Sequence, residues 1–277
     1  RERVSAFLGV TTMLNWMMAV PGFEDYDLSS LRNIQYGGGP MPSRVIEEIM
    51  DKFPCTLIQG YGQTEGAGMT FLSQEDHLRA VRDNYHPERL RSCGREGFLA
   101  SVRVVDDEGV DVPVDGQTTG QIIVRSKANM LGYFGNPELT AETIRDGWIW
   151  TGDVAAMDSE RYVYIVDRAK DMIISGGENI YSVQVEEAIG RHPAVLESAV
   201  IGIPDDQWGE SIKAYVVLKP GAVVTEEEII ATAKAGLASY QKPRLVEFID
   251  ELPKAPTGKI LKRVLRDPHW VGTGRGV

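Results

Sequence analysis

The segment from Asn33 to Gly66 constrains the fold more than any other. Asn33–Tyr36 reads as a short strand and runs into Gly37-Gly38-Gly39-Pro40. Pro42 and Ser43 open a stretch in which Val45, Ile46, Ile49, Met50 and Phe53 recur at helical spacing, and Pro54 stops it. Thr56–Gln59 is a second strand, expected to end in Gly60-Tyr61-Gly62-Gln63-Thr64-Glu65. Strand, helix and strand in this order predict a parallel pair with a right-handed crossover. Both glycine clusters then lie at the carboxyl ends of neighbouring strands, where open α/β sheets bind ligands.

Beyond residue 93 the pattern changes. Ser101–Val105 and Gln121–Arg125 read as strands around the turn signal Asp107-Glu108-Gly109, and Gly147–Asp153 and Tyr162–Asp167 continue them. This part predicts a small β-barrel or twisted sheet over 94–167. Over 168–277 the expectation is a compact α+β unit. Its strands are Met172–Ser175, Ser198–Ile203, Ile212–Leu218 and Leu245–Ile249, with a short helix over Val183–Gly190. A further helix opens at Thr225, where Glu228 completes a capping box. The charged segment Asp167–Asp171 is the expected joint. The division is therefore an α/β part over 1–93, a β-rich part over 94–167 and a separate α+β domain over 168–277.

Composition excludes several classes. Lys plus Arg is 29 and Asp plus Glu is 40, so the net charge of -11 offers no basic field for a nucleic acid. No apolar run approaches the ~20 residues of a membrane span. Two cysteines, Cys55 and Cys93, make no disulfide framework, which points to a reducing, cytoplasmic setting.

Three segments carry candidate chemistry, and each has a plainer reading. Gly60–Gly66 can bring backbone close to a ligand, with an aromatic ring to stack and a hydroxyl and a carboxylate to meet a phosphate and Mg²⁺; it can equally be a tight turn with a capping Thr. Asp153, expected at a strand end in Trp150-Thr151-Gly152-Asp153, can accept ribose hydroxyls or simply satisfy a turn. Lys259, flanked by Pro253, Pro256 and Gly258, can neutralise an anionic transition state, or belong to a solvated basic loop with Lys262, Arg263 and Arg266.

In combination these segments say more. Gly37-Gly38-Gly39-Pro40, Tyr61-Gly62-Gln63-Thr64-Glu65, Thr151-Gly152-Asp153, Asp167-Arg168-Ala169-Lys170-Asp171, Gly176-Gly177-Glu178-Asn179-Ile180-Tyr181 and Pro256-Thr257-Gly258-Lys259 follow one another in a single order. The order resembles the acyl-CoA synthetase branch of the adenylate-forming enzymes, which include aryl- and fatty-acyl-CoA ligases, peptide-synthetase adenylation domains and luciferases. The resemblance runs from about Arg3 to Arg266.

It implies activation of a carboxylic acid by ATP to an acyl-AMP, release of pyrophosphate, and transfer of the acyl group to CoA. By resemblance Gly38, Gly39 and Pro40 border the nucleotide and acyl pocket, Tyr61 and Gly62 lie against the adenine, and Thr64 approaches the phosphate. Glu65 holds Mg²⁺, Asp153 takes the ribose hydroxyls, and Ile165 and Arg168 belong to the nucleotide side. Lys259 bridges carboxylate and α-phosphate in the first step. The C-terminal domain then turns about a hinge at Lys170 and brings in the Gly176-Gly177 loop for the pantetheine. Trp208, Tyr240 and Arg244 are the implied CoA contacts. The acyl pocket is expected to involve Trp16, Tyr36, Gly66, Ala67, Gly68 and Met69.

Ser175–Tyr181 looks like the CoA-ligase version of its motif, whereas peptide-synthetase domains carry a more basic stretch there. CoA is therefore the expected acceptor. The family's Ser/Thr/Gly-rich phosphate loop is not found, so the sequence is expected to be the C-terminal part of a longer protein lacking the first α/β subdomain. A companion N-terminal segment or a homodimer are the partners expected besides the carboxylic acid. The competing readings are an adenylation domain loading a carrier protein, a nucleotide-binding fragment without chemistry, and a nicotinamide dehydrogenase. The last is disfavoured because Gly60–Gly66 departs from G-x-G-x-x-G by one residue.

Overall fold

The structure is a computed structural model and describes residues 2–39, 41–255 and 258–271. Pro40, Pro256 and Thr257, named above, lie outside the described residues. The chain forms two compact units, Arg1–Ile165 and Val166–Val277.

The first unit opens with β1 (Ala6–Gly9), α1 (Thr11–Met18), β2 (Asn33–Gly37), α2 (Ser43–Lys52), β3 (Thr56–Gln63), β4 (Ala67–Leu72), α3 (Gln74–Arg82) and β5 (Arg95–Glu96). The sheet order is β1-β2-β3-β4-β5. β2 runs parallel to β1 and to β3, as the strand–helix–strand pattern predicts. Val45, Ile46 and Ile49 of α2 are buried and share one apolar cluster with Ile34 and Tyr36 of β2 and Leu57 of β3. That periodic face is what holds the helix, since isolated helices of this length are marginal in water.

One expectation fails here. β3 does not end at Gln59 but continues to Gln63 and turns back antiparallel as β4. Gly60 and Gly62 are therefore inside a strand. The physical reason is close packing: a Cβ on Gly62 would stand 2.0 Å from the Ala67 carbonyl oxygen across the pair.

The unit continues with β6 (Ala100–Val105), β7 (Thr119–Ser126), α4 (Pro137–Thr143), β8 (Ile144–Arg145), β9 (Trp148–Met157) and β10 (Val163–Arg168), whose end enters the second unit. They form a sheet in the order β10-β9-β7-β6, with β8 beside β9. The path is open among the described residues, the sheet form of the two expected. Asp153 is not at a strand end. It lies inside β9 at an irregularity where pairing to β7 skips between Gln121 and Ile123, next to Gly152 at φ +73.

The second unit holds β11 (Ile173–Ser175), β12 (Glu178–Ile180), α5 (Ser182–Ile189), β13 (Val195–Asp205), β14 (Gly209–Leu218), α6 (Glu226–Lys234), β15 (Leu245–Phe248) and α7 (Lys262–Trp270). The sheet order is β12-β11-β14-β13, with β15 parallel to β14. Its strands are buried on both faces. Val200, Ile212, Ala214 and Val216 pack with Val185 and Ile189 of α5 and Ile229 and Ala233 of α6. The alternate residues Ala199, Ile201, Tyr215 and Val217 pack on the other side, with Leu265 of α7 against them. The Thr225–Glu228 capping box is formed as predicted. Helix α7 replaces the basic loop expected around Lys262, Arg263 and Arg266. No described helix is long and apolar enough to cross a membrane.

Two polar groups are locked into the first core. Tyr36 and His77 are fully buried, with the Tyr36 hydroxyl 2.8 Å from His77 Nε2. His77 Nδ1 lies 2.7 Å from the Ser73 carbonyl, which can only accept, so Nδ1 carries the proton and Nε2 accepts from Tyr36. Burial depresses the His77 pKa against the opposing pull of the Ser73 carbonyl and Asp76. The unfolded chain then binds the proton more readily, so the stability due to a neutral His77 is present above its unfolded pKa and lost as pH falls. Unfolding midpoints are expected to drop from pH 7.5 to pH 5, and the drop to shrink in His77→Gln. An equal drop in both proteins would remove His77 as its source.

Candidate active site

In the first unit, strand β3 and the bulge of β9 bring Tyr61 and Asp153 together across 92 residues of sequence, with the Tyr61 hydroxyl donating to Asp153 Oδ2 at 2.7 Å. Asp153 is only 5% exposed. Thr151 fixes the bulge by donating to the Ile122 carbonyl at 2.8 Å and accepting from the Asp153 N–H at 3.1 Å. Burial first, and then the charge and hydrogen bond of Asp153, push the Tyr61 hydroxyl above its usual pKa, so it stays a donor. The pair fixes a tyrosine ring beside a nearly enclosed carboxylate.

The turn after β3 carries Thr64, exposed, and Glu65, half-buried. Glu65 is held twice: its carbonyl accepts from the Met130 N–H at 2.7 Å, and its Oε1 accepts from the Tyr133 hydroxyl at 2.8 Å. Tyr133 went unnoticed in the sequence, where nothing local ties it to Glu65. Gly38 and Gly39 follow β2 directly. Ile165 is exposed on β10 and takes part in none of these contacts. Among the described residues no three His, Cys, Asp or Glu side chains converge as a metal cage.

In the second unit, Arg168 opens a turn in which its carbonyl accepts from the Asp171 and Met172 N–H groups at 2.9 and 3.0 Å. Lys170 is exposed, and its carbonyl accepts from Arg266 of α7. Gly176 and Gly177, at φ +63 and +85, form the two-residue turn joining β11 to β12. A hairpin turn of this kind needs positive φ at both positions, which accounts for both glycines locally. Trp208 lies against that turn: its carbonyl accepts from the Gly176 N–H at 2.8 Å, and a Cβ on Gly176 would meet its ring at 2.9 Å. Arg244 sits over the Trp208 ring at 5.2 Å and 3.7 Å from Asp205. The structure thus gathers Gly176, Trp208 and Arg244, while Tyr240 is 49% exposed and outside these contacts.

Lys259 is exposed on a loop closed at its base. The Ala255 N–H donates to the Lys259 carbonyl and the Leu261 N–H to the Pro253 carbonyl, both at 2.8 Å.

Residues 1–134 match the family model described as AMP-binding enzyme, and residues 184–259 match the AMP-binding enzyme C-terminal domain. The chain belongs to the adenylate-forming enzymes. It is 41% identical over 266 residues to a feruloyl-CoA synthase of Amycolatopsis sp, covering 96% of this chain and 52% of that protein. It is 36% identical to the fatty acid–[acyl-carrier-protein] ligase ScoC of Streptomyces coeruleorubidus, covering 98% of this chain and 52% of that one. The structure of the amide bond synthetase McbA from Marinactinospora thermotolerans superposes with a TM-score of 0.86 at 34% identity, covering 96% of this chain and 52% of that one. The chain spans about half the length of the curated relatives it matches.

The Tyr61–Asp153 bond gives a direct test. Tyr61→Phe keeps the ring and removes one donor from a buried carboxylate, a change that costs about 1–3 kcal/mol. Urea unfolding of the variant is expected to show a loss in that range with an unchanged slope; a loss near zero would mean that Asp153 does not depend on this hydroxyl.

Proposed function

We propose that this chain serves the ATP-dependent activation of a carboxylic acid as an acyl adenylate, followed by transfer of the acyl group to the thiol of CoA. The observation that carries the reading is the buried Asp153 carboxylate held by the Tyr61 hydroxyl, which sets an acceptor for ribose hydroxyls beside a ring that could meet an adenine. In this reading Gly38, Gly39 and Gly62 border the nucleotide, Thr64 meets a phosphate, and Arg168 serves the ribose and phosphate side.

Glu65 is a suitable Mg²⁺ ligand. Mg²⁺ at nucleotide sites takes one or two carboxylates plus substrate phosphates and water, so a single carboxylate suffices. With Tyr133 occupying one position on Oε1, the other acceptor positions of the Glu65 carboxylate can serve a cation. When bound, Mg²⁺ would supply positive charge to the phosphates.

In the first step a carboxylate oxygen bonds to the α-phosphorus and the bond to pyrophosphate breaks. Two anions are driven together, so a mobile ammonium is needed where negative charge builds, and Lys259 is assigned that role. In the second step the thiol sulfur bonds to the acyl carbon and AMP leaves with the carbon–oxygen bond electrons. Gly176, Gly177, Trp208, Tyr240 and Arg244 are assigned to CoA, with Lys170 as the hinge between the two arrangements. Arg244 on Trp208 beside a tight turn supports a site for an anionic, flat-faced ligand.

A second reading, delivery to a carrier protein, is favoured by the likeness to ScoC. Acyl transfer to free CoA in the absence of any carrier would exclude it.

Lys259→Ala in the full-length protein is expected to cut pyrophosphate exchange by about 100-fold or more, as loss of a positioned charge at a developing anion does. Thioester formation from supplied acyl-AMP should stay within about twofold, well under the 1.4 kcal/mol that marks a tenfold effect. Equal loss of both half-reactions would defeat the assignment of Lys259.

A further inference from the structure

Helix α7 begins three residues after Lys259, and its first residue is a lysine that does not face water. The Lys262 side chain is 13% exposed and its Nζ lies 2.7 Å from Glu186 Oε1, itself on a side chain 18% exposed. The same Nζ donates to Ser182 Oγ at 2.6 Å, and Ser182 Oγ donates onward to Asp167 Oδ2 at 2.7 Å. Glu186 Oε1 also accepts from the Val200 N–H at 2.7 Å. One ammonium therefore ties α7 to the start of α5, to β13 and to the segment leading into Arg168. One turn further on, Arg266 repeats the grip by donating to the Lys170 carbonyl and lying 3.5 Å from Asp171. At the other end of the Lys259 loop, Lys254 Nζ donates to both oxygens of Glu197 at 2.7 Å.

We infer that Lys262, through Ser182 and Glu186, is a positioning residue for Lys259, with the Lys254–Glu197 pair as the opposite strut of the same loop. This rests on the acyl-activation reading. An apolar contact at the head of α7 would let the helix slide by a fraction of an ångström. Charge-assisted bonds at 2.6–2.7 Å have a narrow optimum and admit one register. A buried ion pair is weak evidence of net stability, but removing one partner is costly. Lys262 thus has the properties of a register pin. It lies three residues from an exposed ammonium whose usefulness depends on where it stands.

A positioning role separates from a structural one by the step it affects. The test is Lys262→Met in the full-length protein, followed in both half-reactions and by thermal melting. Pyrophosphate exchange is expected to slow about 10- to 100-fold, as small misplacements of a reacting group do. The loss should fall on kcat rather than on the KM for ATP, with thioester formation from supplied acyl-AMP changed less than about twofold and Lys262→Arg recovering part of the loss. Equal slowing of both steps, or none, would overturn the inference.

If Lys262→Met does not fold, the double variant Lys254→Met/Ser182→Ala carries the test, because it keeps the Lys262–Glu186 pair. The same split is expected there, and its absence overturns the inference. If Lys259→Ala itself leaves pyrophosphate exchange intact, the assignment of Lys259 fails and this inference with it; if the full-length protein shows no carboxylate-dependent pyrophosphate exchange at all, the acyl-activation reading fails instead, which is a separate result.

Discussion

A carboxylate taken out of water is tolerated only where donors or a cation replace the solvent it has lost, and each unit of this protein is organised around such a carboxylate. In the first unit it is Asp153, with the Tyr61 hydroxyl on Oδ2. In the second it is Asp167, with the Ser182 hydroxyl and N–H on one oxygen and the Arg168 N–H on the other. The demand for donors dictates local structure around both. The β9 strand must bulge at Gly152 for Asp153 to reach Tyr61, and α5 must start at Ser182 for its first N–H to meet Asp167. Burial raises the pKa of Asp167 and of Glu186 even with Lys262 pulling the other way.

Much of the fold was legible because it rests on local rules. The spacing of Val45, Ile46 and Ile49 defines α2, and Thr225 with Glu228 defines the start of α6. The alternation along β13 and β14 is masked by burial on both faces, yet the runs of Val, Ile and Ala still mark strands. The errors have a common origin. Glycine reads as a sign of chain reversal, whereas Gly60 and Gly62 lie inside β3 and Gly62 serves its close pairing with β4. Asp153 is expected at a strand end, whereas it lies within β9 at an irregularity beside Gly152. By charge Lys262 and Arg266 read as part of a solvated loop, whereas Leu265 and Trp270 turn the segment inward as a helix. That apolar spacing is what seats α7 on the sheet.

The candidate site was legible as a set of residues but not as a set of contacts. Tyr61 and Asp153 come together over 92 positions, and neither sequence environment points to the other. Tyr133 on Glu65 is of the same kind: a half-buried hydroxyl from a loop, fixed on a carboxylate that periodicity cannot relate to it. The Gly176-Gly177 pair shows the converse. It was read for what it would leave open to a ligand, and the hairpin explains both glycines without one. What remains for a ligand there is the Trp208 ring with Arg244 across it.

The contrast between Lys259 and Lys262 makes the chemistry of the second unit intelligible. The two residues carry the same charge three positions apart, yet one is exposed and the other is nearly enclosed by a carboxylate and a hydroxyl. Anchoring falls to Lys262, which holds the end of the Lys259 loop where that loop enters the first turn of α7. Arg266 lies one turn further along the same face and holds the segment of Lys170. Lys262 and Arg266 are both held by internal partners, while Lys259 and Arg263 stay exposed, so under the role proposed for Lys259 the geometry of its loop is what these internal partners control.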